Sequence, residues 1–201
     1  PLELVDSTAA ACAEIIYDLA VLLEAQLEEA AADALYVGIS TDTGCFRFAN
    51  TDSHTFTAAA ACAAKSSHIF TLNQQLFDTN SLEKLQLQSW IVEHMEIFGK
   101  GDLAIVAIPA AVETAIGVNE DDTNNIASFL RSIAGIAMAA TLREGKNGDV
   151  KISIRAVPGA DASLVAAKFG GGGHKGAAGC TLSVPMEEAF KAVREAMLRE
   201  N

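Results

Sequence analysis

The chain has 201 residues, half of them hydrophobic, and its 14 basic against 26 acidic side chains give a net charge of −12. That length holds one large domain or two small ones, and the apolar content supplies a core and excludes a disordered chain. The acidity argues against a protein that tracks long DNA or RNA, whose affinity comes from many lysines and arginines on phosphates, but leaves room for a small anion in a local cavity.

From the N-terminus, residues 6–34 are rich in Ala, Leu and Glu, with Ile15, Leu19, Leu22, Leu23 and Leu27 at helical spacing and Asp6, Ser7 and Thr8 as cap candidates. They predict one long amphipathic helix. The apolar run 35–40 predicts a buried strand that stops at the polar turn Thr41-Asp42-Thr43-Gly44. Asp42 is thereby expected at a strand's C-terminal end, where ligands and metals gather in open α/β sheets. Residues 51–55 resemble a turn and cap leading into an alanine-rich helix over 56–65. Residues 67–100 read as mostly helical, with a stop and a domain junction at Gly99-Lys100-Gly101. Beyond it the pattern predicts a strand over 103–108, a helix over 122–133, strands over 136–142 and 150–157, a short helix over 162–169, a glycine loop, a strand over 180–184 and a helix from Met186. Pro185 and the Glu187-Glu188 pair mark the start of that last helix.

Apolar stretches shorter than about 18 residues and the lack of a leader pattern predict a chain that neither spans a membrane nor is exported. Cys12, Cys45, Cys62 and Cys180 form no C-x-x-C pair, so free thiols in a reducing cytoplasm are expected rather than a zinc knuckle or redox motif.

The run Gly170-Gly171-Gly172-Gly173 precedes His174 and Lys175. Each glycine in a regular element costs about 0.5–1 kcal/mol relative to alanine. Glycines also let backbone N–H groups close on an anion without any net positive charge, and the histidine ring and ammonium add donors. A flexible linker is the alternative, but Ala177-Ala178-Gly179-Cys180 leads straight into an apolar strand. No Gly-Lys-Ser/Thr ending and no strand–loop–helix order is present, which speaks against an ATPase or a dehydrogenase. In the alternating segment 151–155, Lys151, Ser153 and Arg155 share one face. A guanidinium there can grip a phosphate with two parallel hydrogen bonds, or Arg155 is an ordinary exposed strand arginine.

The segment Phe169 to Cys180, FGGGGHKGAAGC, preceded by Ser153-Ile154-Arg155 and Asp161, resembles the signature of the C-terminal domain associated with DHH phosphoesterases. Upstream, GISTDTG from Gly38, followed by Phe46, Arg47, Phe48, Asn50, Thr51 and Thr55, resembles the family's last metal-ligand motif. The likeness is strongest to the branch that degrades very short RNAs and dephosphorylates adenosine 3′,5′-bisphosphate (pAp).

The resemblance implies an α/β fold: the C-terminal part of a parallel-sheet DHH domain at residues 1–74, a helical linker at 75–100, and a smaller mixed-sheet substrate-binding domain at 101–201. It implies Asp42 as a metal ligand of a two-Mn²⁺ site. It implies Arg155, Gly170, Gly171, Gly172, Gly173, His174 and Lys175 as substrate-binding residues, with Arg47 as a substrate contact or a surface residue. The family's N-terminal aspartate motifs and its Asp-His-His triplet are missing from this chain. His54, read as a loop residue, and His68 and His94, read as structural, have no ligand-like spacing with Asp42. A truncated chain with an incomplete metal site, unable to hydrolyse phosphodiesters by itself, is therefore expected. The complete parent is expected to be a cytoplasmic Mn²⁺-dependent phosphoesterase acting on a short oligoribonucleotide or pAp. The alternatives are a nucleotide-binding or regulatory module without catalysis and a cyclic-dinucleotide phosphodiesterase. Aromatic residues at 6% disfavour a long single-stranded substrate. The alanine-rich helices can pack within the chain or across a two-fold axis, which would give a homodimer.

Overall fold

The computed structural model describes residues 3–123, 126–145 and 147–200. The chain divides into two compact units, residues 1–79 and 80–201. Among the described residues no helix is long and apolar enough to cross a membrane.

In the first unit the described residues form helices: α1 (Cys12–Leu22), α2 (Glu29–Asp42), α3 (Ser53–Ala63) and α4 (Ile69–Asn73), which runs into a π-helical turn at Gln74–Asp78. The single helix expected over 6–34 is broken after Leu22, where Glu24 takes a left-handed φ of 50°. The strand expected over 35–40 is instead the second half of α2, so Asp42 ends a helix and not a strand. A six-residue apolar run carries no period that separates strand from helix. Burial decides it: Ala32, Tyr36, Ile39 and Ser40 are all inside, a helical spacing that packs α2 against its neighbours. A Cβ at Gly38 would lie 2.7 Å from the Ala13 Cβ, so glycine there lets α1 and α2 approach closely.

The cap expected before the alanine-rich helix is present. Asp52 accepts from the backbone N–H groups of His54 and Thr55, and Thr55 Oγ1 in return accepts from the Asp52 N–H. This reciprocal pairing satisfies donors that would otherwise be orphaned at the helix start. His54 therefore lies in the first turn of α3, not in a loop. Its ring Nε2 is 2.9 Å from an Asp18 carboxylate oxygen, tying α3 to α1. That hydrogen bond, followed by the charge of Asp18, raises the His54 pKa. Its stabilising contribution is complete below the ordinary histidine value of about 6.5 and is lost as pH rises through the higher folded value. In an NMR pH titration we expect His54 to titrate above free histidine and Asp18→Asn to bring it back; coincident curves would refute the pairing. His68 pairs likewise with Asp33, at 2.8 Å, and His94 stacks on Trp90 and lies 2.8 Å from its backbone carbonyl.

The second unit is a six-stranded mixed sheet in the order β1-β2-β3-β4-β6-β5. Its strands are β1 (Glu96–Phe98), β2 (Leu103–Ile108), β3 (Met138–Glu144), β4 (Val150–Ala156), β5 (Gly172–His174) and β6 (Ala177–Leu182). Only β2 and β3 are parallel; the other neighbouring pairs are antiparallel. Residues 75–100, expected as a linker, contribute α5 (Leu82–His94) and β1 to this unit. Buried Leu87 and Ile91 of α5 pack against Ala104, Val106 and Ile108 of β2. The helix expected over 122–133 is shorter: a 3-10 turn at Asp121–Thr123 and α7 (Ile126–Arg131), with residues 124 and 125 outside those described. A helix the pattern did not announce, α6 (Ala110–Ile116), follows Pro109 and ends at Gly117, whose φ is +84°. Helices α8 (Ala162–Ala167) and α9 (Met186–Glu200) complete the unit.

The period-2 alternation of the strands separates two faces. Leu103 and Ile105, Met138, Ala140 and Leu142, and Val150, Ile152 and Ile154 point to one face, where α8 and α9 cover them with Val165, Ala166, Val193 and Met197. Ala104, Val106 and Ile108 and Ala139 point to the other, under α5 and α7, with Leu87, Ile91, Ile126 and Leu130. On that second face the cover stops near β4. Beyond it, Lys151, Ser153, Thr181, Gly172 and His174 are exposed.

Candidate functional site

The uncovered part of the sheet is where Ser153, Arg155, Gly172 and His174, singled out in the sequence, converge. In β4, Lys151, Ser153 and Arg155 alternate with buried Val150, Ile152, Ile154 and Ala156, so the three share the open face as expected. Strand register extends that face across the sheet. Arg155 pairs with Ala177 of β6, and Ala177 with His174 of β5. One step along, Ser153 pairs with Gly179, and Gly179 with Gly172. Directly paired residues project to the same side, so Arg155 and His174 flank a position occupied only by a methyl group, while Ser153 and Gly172 flank one with no side chain. Two strand spacings place their Cα atoms roughly 10 Å apart. The result is a shallow shelf with a guanidinium on one bank and an imidazole on the other.

The tetraglycine segment is not a free loop. Gly170, with φ +73°, carries the chain off α8, and the N–H groups of Gly170 and Gly171 close on the carbonyls of Ala167 and Ala166. Gly172, Gly173 and His174 then form β5 at the sheet edge. The four glycines have different reasons to be there. A Cβ at Gly171 would strike the Gly179 carbonyl and Cys180, and one at Gly173, whose φ is +144°, would lie 2.5 Å from the Ala177 carbonyl and 2.6 Å from the Ala178 Cα. Those two are required by the hairpin. A Cβ at Gly172 meets nothing within 4 Å; its bareness keeps the shelf open and is not demanded by packing. Lys175 is exposed, and its carbonyl accepts from the Ala162 N–H at the start of α8. Asp161 caps that helix by accepting from Ser163 N–H at 3.0 Å.

A narrow cleft borders the shelf, lined by Thr123 of the 3-10 turn, Ile126 and Ala127 of α7, Thr141 and Arg143 of β3, and Ser153 and Arg155 of β4. Arg143 is neutralised by two hydrogen bonds to Glu113, 2.6 and 3.0 Å long. Arg155 has no carboxylate partner among the described residues and donates to the Ile154 carbonyl at 3.0 Å. Burial, and then the positive charge of Arg131, hold its guanidinium below the ordinary arginine value, although a guanidinium stays protonated in proteins.

Asp42 and Arg47 belong to the first unit. Asp42 is exposed, and its backbone carbonyl accepts from Asn50 Nδ2, which also bonds the Ala10 carbonyl. Arg47 is exposed at its base turn, with Nε donating to the Gly44 carbonyl at 2.6 Å. Gly44, Cys45 and Phe46 are consecutively left-handed, with φ between 56° and 61°. For two residues with side chains that is a strained path, and a Phe46 ring stacked on Phe56 at 5.3 Å helps hold it. Among the described residues no group of three or more His, Cys, Asp or Glu side chains is placed to hold a metal ion. A two-ion centre needs several such ligands around ions about 3.5–4 Å apart. The described residues do not make up such a centre by themselves.

Residues 107–200 match the DHHA1 domain. The chain is 34% identical over 203 residues to the bifunctional oligoribonuclease and PAP phosphatase NrnA of Thermus thermophilus, an alignment covering 99% of this chain and 60% of that protein. Proteins of the same description from Mycoplasma genitalium and Bacillus subtilis are 26% and 27% identical, each over 89% of this chain and 55% and 56% of their own lengths. The chain thus spans at most about 60% of these relatives. Among solved structures, an exopolyphosphatase-related protein from Bacteroides fragilis has the same fold, with a TM-score of 0.89 over 96% of this chain and 57% of that one at 22% identity.

Proposed function

Because residues 107–200 of this chain match the DHHA1 domain, we propose that its second unit is the substrate-binding half of a DHH-family phosphoesterase. It holds the phosphate-bearing end of a short oligoribonucleotide or of pAp. The observation that carries this reading is the shared open face of Ser153, Arg155, Gly172 and His174, with small residues between them. Arg155 contributes two parallel N–H donors to a phosphate. His174 contributes a ring donor, and Gly172 lets the backbone edge approach the ligand. Lys175, Gly170, Gly171 and Gly173 belong to the same reading, the first as a nearby charge and the glycines as the frame of β5. The named activities of the relatives, acting on oligoribonucleotides and PAP, supply the substrate class.

Hydrolysis we assign to the longer protein, as an Mn²⁺-dependent reaction in the cytoplasm to which Asp42 contributes one ligand and Arg47 a substrate contact. This chain alone then binds without cleaving, which is also what a nucleotide-binding module without catalysis would do; that no three or more His, Cys, Asp or Glu side chains are grouped to hold a metal among the described residues supports that behaviour for the chain in isolation.

Titration of this chain with pAp and with a diribonucleotide tests the reading. We expect both to bind, Gly172→Val to weaken both about tenfold or more with little change in stability, and no mononucleotide to be released when Mn²⁺ is added. Unchanged affinity in Gly172→Val would remove the ligand from the shelf, and robust Mn²⁺-dependent release by this polypeptide would overturn the division of labour.

A further inference from the structure

The open face of the sheet reverses the charge balance of the chain. Across β3 to β6 its strand positions bring together Arg143, Lys151, Arg155 and His174 and, among the described residues, no acidic one, in a chain with 26 carboxylates against 14 basic groups. Arg143 is held by Glu113. Lys151 is exposed and has no ion-pair partner among the described residues. Its cross-strand neighbours are Arg143 and Thr181, neither of which calls for a cation beside it. A lone strand lysine is ordinarily a solvated charge, but this one ends a row. Arg155, Ser153 and Lys151 occupy alternate positions of β4, so successive members lie roughly 6.5 Å apart and the row is roughly 13 Å long. Successive phosphates of an extended single strand are separated by a comparable step. Beyond Lys151 the sign changes: Glu144 is exposed at the end of β3, and Asp149 stands in the connection just before β4.

We infer that Lys151 is a length-specificity residue: the row Arg155, Ser153, Lys151 is a track for three successive phosphates of one strand, and Lys151 holds the third. This rests on the binding reading above and adds to it a limit of ligand length. The terminal phosphate lies against Arg155 and His174. The Ser153 hydroxyl donates to the second, and the Lys151 ammonium meets the third with a charge-assisted hydrogen bond. Ala177 and Gly179, paired with Arg155 and Ser153 in β6, leave room for the strand to lie against the sheet. A fourth phosphate would come up against Glu144 and Asp149. Charges act over about 8 Å at physiological salt, so this repulsion is confined to the far end of the row and leaves the first three positions undisturbed.

The test is calorimetric titration of this chain with 5′-phosphorylated oligoadenylates of one to four nucleotides, in the wild type, Lys151→Gln and Lys151→Arg. The wild type is expected to gain roughly threefold to tenfold in affinity from two nucleotides to three, the size of one exposed charge-assisted contact, and less than about twofold from three to four. Lys151→Gln should abolish the gain at three while shifting the one- and two-nucleotide ligands by less than about twofold. Its trinucleotide affinity should also depend less on salt, the log–log slope falling by about 0.7. Lys151→Arg keeps the charge and should restore the gain. The ratio between lengths within one variant is the readout, because any misfolded fraction scales all lengths alike. Equal losses at every length, no gain in the wild type from two to three, or a further equal gain at four would overturn the track while leaving the shelf in place. Failure of the wild type to bind at any length would instead bring down the binding reading on which the track depends.

Discussion

Replacing Gly173 by alanine is expected to destabilise the second unit by about 2–4 kcal/mol, from left-handed backbone strain together with overpacking. The backbone there has φ +144°, and an added Cβ would meet the Ala177 carbonyl at 2.5 Å and the Ala178 Cα at 2.6 Å. Both obstacles are main-chain atoms of the paired strand, so no side-chain rotation relieves them; β5 must peel away from β6 or the strand must bend. Gly172→Ala, one residue earlier, places its methyl in open space and is expected to shift stability by less than about 1 kcal/mol. In thermal or urea denaturation the first variant should fall by on the order of 10 °C while the second stays close to wild type. Equal behaviour of the two would mean that β5 is not held against β6 in the register described.

Arg155→Ala is expected to weaken pAp and diribonucleotide binding roughly 10- to 100-fold, the range for losing hydrogen bonds to a charged group. The side chain stands on the uncovered face and makes no ion pair among the described residues, so its removal leaves no carboxylate stranded. Stability should change little, or rise slightly as repulsion from Arg131 is relieved. Arg155→Lys keeps the charge but loses the planar fork and should recover only part of the affinity. Wild-type affinity in Arg155→Ala would place the ligand elsewhere and remove the basis of the shelf.

Much of the second unit could be read from local pattern, because its strands alternate cleanly and its helices carry end signals. Val150 to Ala156 shows buried and accessible residues in strict turn, and that alternation put Lys151, Ser153 and Arg155 on one face before any pairing was known. Local pattern failed where it was short or symmetric. Residues 35–40 are apolar enough for either a strand or a helix, and only contacts with α1, such as that at Gly38, make them helical. β1 has three residues, too few for a period, and its pairing with β2 is what makes it a strand. The site followed the same division. The glycines, His174 and Arg155 stood out by composition, but their union across Ala177 and Gly179 depends on register between segments some twenty residues apart.

The strand that borders the shelf closes the sheet with three residues, two of them glycine. Among the described residues its outer backbone groups have no neighbouring strand, the condition under which sheets recruit further strands and proteins aggregate. A border this short, with almost no side chain to interdigitate, gives an incoming strand little to hold. A single small group needs only one or two amides. The same brevity that makes this rim a poor template for self-association leaves it accessible to a ligand.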